Sequence, residues 1–172
     1  MTIRLGILSD THGRAVIARR AVLQLQMSGA THFVHCGDIA DFGSDGRAVL
    51  DCLPTGVSWF VFGNNDFEHE VLRQYAGTIG ISCLDYAGEF ELGAKRFAVT
   101  HGDRPCLLDQ FLDRADEIDY LLSGHTHQKH DLRAGSVRRI NPGALHRARP
   151  KSVALLNPES DTLEFLIVPE AN

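Results

Sequence analysis

The feature that most constrains this chain is a junction repeated five times: a short apolar run that halts at glycine and polar side chains. Ile3–Leu8 halts at Ser9-Asp10-Thr11-His12-Gly13, His32–Cys36 at Gly37-Asp38, and Val57–Phe62 at Gly63-Asn64-Asn65-Asp66. Further along, Lys95–Thr100 halts at His101-Gly102, and Tyr120–Ser123 at Gly124-His125-Thr126-His127. Apolar runs this short, bounded by turn-forming residues, read as buried strands. Each polar cluster therefore sits at the carboxyl end of a strand, the edge of an open α/β sheet where ligands bind. Glycine at each junction lets the backbone turn sharply and come close to whatever is bound.

The segments between the junctions fit the same plan. Arg14–Gln26 carries Val16, Ile17, Ala21, Val22 and Leu25 at helical spacing, with Gly29 placed to close the helix. Ser44 is expected to cap a helix that runs to Leu53 and is stopped by Pro54. Phe90-Glu91-Leu92 and Lys95–Thr100, joined by Gly93-Ala94, read as a hairpin, and a helix is expected from Cys106 to Ala115. The tail reads as strands at Val137–Ile140, Ser152–Leu156 and Leu163–Val168, with turns at Asn141-Pro142-Gly143 and Asn157-Pro158. Residues 67–88 show no such pattern and are expected to shape a rim of the site or a contact between subunits. The chain, 172 residues without repeat or linker, is expected to form one mixed α/β domain spanning 1–172.

Bulk properties narrow the function. No apolar run approaches the ~20 residues of a membrane span, and the N-terminal residues enter a strand pattern without the features of a secretory leader. A cytoplasmic protein that does not enter membranes is expected. Cys36, Cys52, Cys83 and Cys106 lie far apart with no CxxC pair, which predicts reduced, buried thiols. A formal charge of −5 argues against a dedicated nucleic-acid binder, leaving nucleic acid only as a substrate. Between Arg133 and Lys151, however, six basic residues occur with no Asp or Glu, which would form a rim attracting an anionic substrate. His146 and Arg147 of this stretch are the candidates to line it.

The unusual count is nine histidines against three lysines. Gathering the five clusters gives two carboxylates (Asp10, Asp38), one amide (Asn64) and four imidazoles (His12, His101, His125, His127). Asp10/His12 and His125/His127 have i, i+2 spacing, which projects both side chains of a pair to one side. Seven N/O donors exceed what a single tetrahedral ion takes. They fit two ions that share one carboxylate and each keep a position open. The absence of thiolate favours manganese, with iron, nickel, cobalt or zinc as alternatives, over a structural zinc.

This combination of motifs resembles the calcineurin-like metallophosphoesterases, in particular the small bacterial and archaeal phosphodiesterases that consist of little beyond the core domain. The resemblance covers nearly the whole chain and extends to the Ile140-Asn141-Pro142-Gly143 turn. It implies a four-layer α/β/β/α sandwich with a dinuclear site at one edge. It implies that Asp10, His12 and His127 hold one metal, that Asn64, His101 and His125 hold the other, and that Asp38 bridges. The reaction it implies is hydrolysis of a phosphoester by a metal-bridging hydroxide attacking phosphorus in line with the departing alcohol. A small phosphoester is the implied substrate, and a homodimer or higher oligomer the implied assembly.

One position departs from the family. Many relatives carry His directly after the metal-binding Asn, where it protonates the leaving group; here that residue is Asn65. An amide donates a hydrogen bond but delivers no proton near neutral pH. Phosphodiester hydrolysis is therefore expected ahead of phosphomonoester or protein-phosphate hydrolysis. His35 is expected to orient Asp38 from behind, and Asp66 to hydrogen-bond a neighbouring histidine. Two other site types fit these residues less well. A metallo-β-lactamase-like site fails because Lys129 stands where H-x-H-x-D-H needs a carboxylate. A catalytically silent scaffold, as in the related retromer subunit, is disfavoured because all seven ligand positions hold competent residues.

Overall fold

The computed structural model describes residues 2–170. The chain runs β1 (Leu5–Leu8), α1 (Ala15–Met27), β2 (His32–His35), α2 (Arg47–Leu50), β3 (Ser58–Phe60), α3 (His69–Thr78), β4 (Ser82–Cys83), β5 (Ala87–Leu92), β6 (Lys95–Thr100), α4 (Pro105–Leu112), β7 (Tyr120–Leu122), β8 (His130–Ala134), β9 (Val137–Asn141), β10 (Ser152–Asn157) and β11 (Thr162–Ile167). The strands make two sheets. One has six strands in the order β11-β10-β1-β2-β3-β4, and the other has five in the order β5-β6-β7-β9-β8. Strands β1 to β4 are mutually parallel, as are β6, β7 and β9. The carboxyl ends carrying the polar clusters therefore point the same way within each sheet.

Alternation along the strands stacks the layers, because successive side chains face opposite sides of a sheet. Leu8, Phe33, Phe60, Val153 and Leu155 face α1, α2 and α3 in one core. Leu5, Ile7, Val34, Val61, Ala154 and Leu156 face the other way, meeting Phe97, Val99, Tyr120, Leu122 and Ile140 of the second sheet. Ala98 and Leu121 then face outward again, packing with Phe111, Ile118 and Val137 beneath α4. Three cores separate four layers, so the α/β/β/α sandwich is the observed architecture. Strands buried on both faces read as continuous apolar runs, which is why they stood out in the sequence.

Local signals explain most element ends. Gly29 (φ 94°) follows α1; its N–H donates to Gln26 O and that of Ala30 to Leu25 O, the paired bonds of a left-handed helix stop. The helix expected from Ser44 to Leu53 is shorter, Arg47–Leu50. Ser44 does not cap it: its Oγ accepts from Asp41 N at 2.7 Å and donates to Asp41 O, closing the turn after Asp38, while Asp45 Oδ1 takes the Arg47 N–H. Residues 67–88 contain a helix and a strand, α3 and β4, that complete the first sheet and its helical layer, with Leu72 and Ala76 in the core. All four cysteines are free, yet only Cys36 is buried and Cys106 is exposed.

Candidate metal centre

The loops after β1, β2, β3, β6 and β7 converge on one edge, and backbone hydrogen bonds tie them together. Asp10 N donates to Gly37 O, His12 N to Asp38 O, Gly13 N to Ile39 O and Gly124 N to His101 O. Close approach sets two glycines. A Cβ on Gly63 would lie 2.2 Å from Asp38 Oδ1, and one on Gly37 would lie 2.6 Å from His101 Nδ1. Five of the convergent residues, Asp10, His12, Asp38, His125 and His127, have φ between 48° and 67°. A side-chain-bearing residue rarely adopts that left-handed conformation, and its clustering here marks strain held by the surrounding fold.

These turns bring most of the candidate ligand atoms together. Asp38 Oδ2 lies 3.4 Å from His12 Nε2 and 3.3 Å from His101 Nε2. Asp10 Oδ1 lies 3.2 Å from His127 Nε2 and 3.9 Å from His101 Nε2. The ring of His125 meets that of His101 edge-on at 5.1 Å, and its backbone N–H reaches Asp10 Oδ2. Asn64 and His125 are exposed where Asp10, Asp38 and His101 are buried. Asp10-His12-His127 and Asp10-Asp38-His101 are each compact enough to hold a cation.

The donors fit such an ion. Asp10 Oδ1, both ring nitrogens of His12, and His101 Nε2 are buried without a hydrogen-bond partner among the described residues. Leaving such atoms unpaired costs about 1–3 kcal/mol each unless something binds them. His101 Nδ1 donates to Cys36 O at 2.7 Å, which turns Nε2 toward the two carboxylates in the tautomer a metal needs. An all-N/O set of carboxylates and imidazoles suits a divalent transition metal.

A family model for the calcineurin-like phosphoesterase superfamily domain matches residues 3–161. The chain belongs to that superfamily. As a calcineurin-like phosphoesterase it is a hydrolase of phosphoric esters, in a family that uses divalent metals. It is 26% identical over 148 residues to a phosphodiesterase of Methanocaldococcus jannaschii, covering 82% of this chain and 83% of that protein. A probable metallophosphoesterase of the same organism is 29% identical over 177 residues, covering 98% of this chain and 82% of its own length. In fold it resembles a solved archaeal phosphodiesterase (TM-score 0.84, 23% identity, 96% and 99% of the two chains) and Vps29 of Chaetomium thermophilum (TM-score 0.67, 17% identity, 96% and 95%). No helix among the described residues is long and apolar enough to cross a membrane.

Around the candidate centre, His35 and Asp66 make contacts other than those expected from the sequence. Asn65 donates both its backbone N–H and its side-chain Nδ2–H to the two oxygens of Asp38, each at 2.8 Å. Asp66 bonds no histidine. Its carboxylate takes the N–H groups of Ile39, Ala40 and Gly63, pinning the β2 loop to the β3 loop. His35 likewise does not touch Asp38; its Nε2 bonds Thr11 Oγ1 at 3.0 Å, and that hydroxyl reaches Ile39 O. The difference is one of side: the strand's alternation carries His35 toward the β1 loop rather than along its own. The ring of His146 lies 4.7 Å from that of His12, tilted by 52°, and Arg147 beside it is exposed with φ 51°.

Three residues that matter here were not singled out from the sequence. Asp41 Oδ2 lies 3.5 Å from His12 Nδ1. Thr11 lies between two candidate ligands, where its hydroxyl was the only signal. Buried Asn141 donates to Gly124 O at 2.7 Å and to Thr126 Oγ1, while its Oδ1 accepts from Gly143 N, clamping the histidine loop to the Asn-Pro-Gly turn.

Charge in the site is tightly coupled. Burial opposes the charged form of His101, but the Asp38 carboxylate 3.3 Å away and the charge of Asp10 outweigh that and push it up to about 9. Burial likewise opposes ionisation of Asp38, yet the nearby His101 and the bonds from Asn65 hold it well below the usual carboxylate range. Asp10 raises His127. Burial moves Asp66 up to about 6 despite its three N–H donors, so it is still mostly ionised at neutral pH. Burial brings His35 down to about 3 and, with Arg14 and His12 nearby, His146 down to about 4, so both stay neutral.

Proposed function

We propose that this chain is a phosphodiesterase that works with two divalent cations, manganese foremost, one held by Asp10, His12 and His127 and the other by Asn64, His101 and His125, with Asp38 shared. The observation that carries this reading is Asp38 Oδ2 standing within 3.4 Å of a ring nitrogen from each set, among buried donor atoms that lack partners. When bound, two such cations activate a water near neutral pH and neutralise the charge that develops on the phosphoryl oxygens.

The protein's own residues supply the rest. Asn65 holds both oxygens of Asp38 in place, so its amide is engaged on the carboxylate rather than free to assist a leaving group. Even freed, it has no proton to deliver. This favours substrates whose alcohol leaves without protonation, and supports diesters over phosphomonoesters and protein phosphates. The Cys36 carbonyl fixes the ring of His101 from behind, and Asp41 stands 3.5 Å from Nδ1 of His12. His146 and Arg147 stand beside His12 as the rim that receives the substrate.

The test is turnover of bis(p-nitrophenyl) phosphate against p-nitrophenyl phosphate with Mn²⁺, Ni²⁺ and Co²⁺, together with metal content. Two ions per chain and preferential diester turnover are expected, with monoester turnover rising in Asn65→His. Two ions bound without turnover of either ester would overturn the enzymatic reading in favour of a scaffold. Preferential monoester turnover unaffected by Asn65→His would overturn the role given to Asn65.

A further inference from the structure

The basic run from Arg133 to Lys151 divides in three dimensions. Arg138 is bound to Asp131 and Asp161, Arg133 to Asp161, and Lys151 to Glu170. These charges are neutralised where they stand. Arg147 and Arg149 have no carboxylate within 4.0 Å among the described residues, and neither does Lys129. The three line one groove of about 480 Å³ that also includes Thr126, His127 and Ser152 and contains no acidic residue. The groove thus opens from a candidate metal ligand.

Arg147 carries a second mark. Among the described residues, eight other than glycine have positive φ; five are candidate metal ligands, and Arg147, which is not one, is another. The other two, Asp85 and Asp161, are of a type that tolerates this conformation. Arginine gains nothing locally from it, so the fold holds Arg147 at the groove against its backbone preference. Lys129 is positioned too, with Nζ 5.4 Å from the Phe165 ring. Unpaired guanidinium and ammonium groups held around one concavity match a phosphate, whose oxygens take parallel bonds from an arginine fork.

We propose that this groove is a subsite for a second, non-reacting phosphate, so that the preferred substrates are small phosphodiesters carrying a further phosphate on the side facing His127. This rests on the phosphodiesterase reading above. A phosphate bound there adds affinity without entering the reaction, and it distinguishes such a substrate from a simple diester.

The matched probe is a dithymidine phosphodiester with and without a terminal phosphate, at the 5′ or the 3′ end, assayed with the metal-loaded full chain. We expect one phosphorylated isomer to have kcat/KM about tenfold above that of the plain dinucleotide, chiefly through KM. That ratio should fall toward one in Arg147→Ala/Arg149→Ala and be only partly retained in Arg147→Lys/Arg149→Lys, which keeps the charge but not the fork. It should persist in full in Arg133→Ala, whose arginine lies outside the groove. A ratio near one in the native chain, or one unmoved by the double alanine variant, overturns the subsite. Absence of all turnover, including that of bis(p-nitrophenyl) phosphate, overturns the phosphodiesterase reading instead. The ratio of dissociation constants for the same dinucleotides then decides the subsite.

Discussion

Two charged clusters of the molecule are built on opposite rules. At the amino ends of β7 and β9, Arg138 forms a fork with both oxygens of Asp131 at 2.8 Å and also meets Asp161 at 2.6 Å. Asp161 takes the Tyr120 hydroxyl and Arg133 as well. That cluster saturates itself. At the carboxyl ends of β1 and β6, Asp10, His12 and His101 lie farther apart but deeper, and keep unpartnered atoms and left-handed backbone at the ligand residues. Polar groups that satisfy one another hold a fold together. Polar groups that are gathered and left unsatisfied hold the place of something else, and the fold bears the cost of keeping them so.

This contrast can be broken by experiment. The largest effect is expected from Asp38→Ala, which should lower diester turnover by about a thousandfold or more and reduce metal content. The melting temperature of the metal-free protein should not fall in proportion, because the cluster it disrupts was never self-satisfied. Next, Asn65→Ala removes one of two bonds that hold Asp38, and metal affinity or kcat should drop by about tenfold to a hundredfold. Metal titration separates the two. Arg138→Ala should do the reverse of Asp38→Ala: turnover at room temperature is retained, while stability falls by about 2 kcal/mol, roughly 4–8 °C in Tm. If Arg138→Ala impairs turnover and leaves Tm intact, the division of labour between the two ends is wrong.

The smallest effect is in the pH dependence of the metal-free protein, where an alkaline loss belongs to the metal end while both ends lose stability as pH falls. His101 is pushed up to about 9, above its ordinary value of about 6.5. Its contribution is therefore full below about pH 6.5 and is lost as pH rises through about 9. Asp131 is held low by its bonds to Arg138, and Asp161, against its own burial, by Arg138, Tyr120 and Arg133. Their contribution is present above the ordinary carboxylate value, about 3.9, and is lost as pH falls. Thermal melts should show the alkaline slope flattened in Asp38→Ala and the acid slope flattened in Arg138→Ala.

Much of the fold was legible because its strands are covered on both faces. Runs such as those leading to Asp10 and Asp38 are apolar without alternation, and glycine ends each one. What escaped were elements whose patterns are weak: α3, half exposed with only Leu72 and Ala76 in the core, and β8, whose residues are mostly exposed. Ser44 misled because a serine before an apolar stretch serves a turn as readily as a helix cap. Within the site, the residue types and their i, i+2 spacing identified the candidate ligands. The partners of His35 and Asp66 did not follow, since each bonds a loop distant in sequence. Nor did the clamp formed by Asn141, or the neutralisation of Arg133, Arg138 and Lys151 by Asp131, Asp161 and Glu170.

By itself, then, the sequence determined the mixed α/β class, the edge at which the chemistry gathers, and the kind of donor brought there, because strand burial and turn chemistry are local properties written in short windows. Only the tertiary structure decided which polar groups are paired and which are left open. Pairing depends on where loops from separate strands end in space. That is why a basic run uniform in sequence became side chains neutralised by carboxylates (Arg133, Arg138 and Lys151) and, beside His127, the free arginines of a groove.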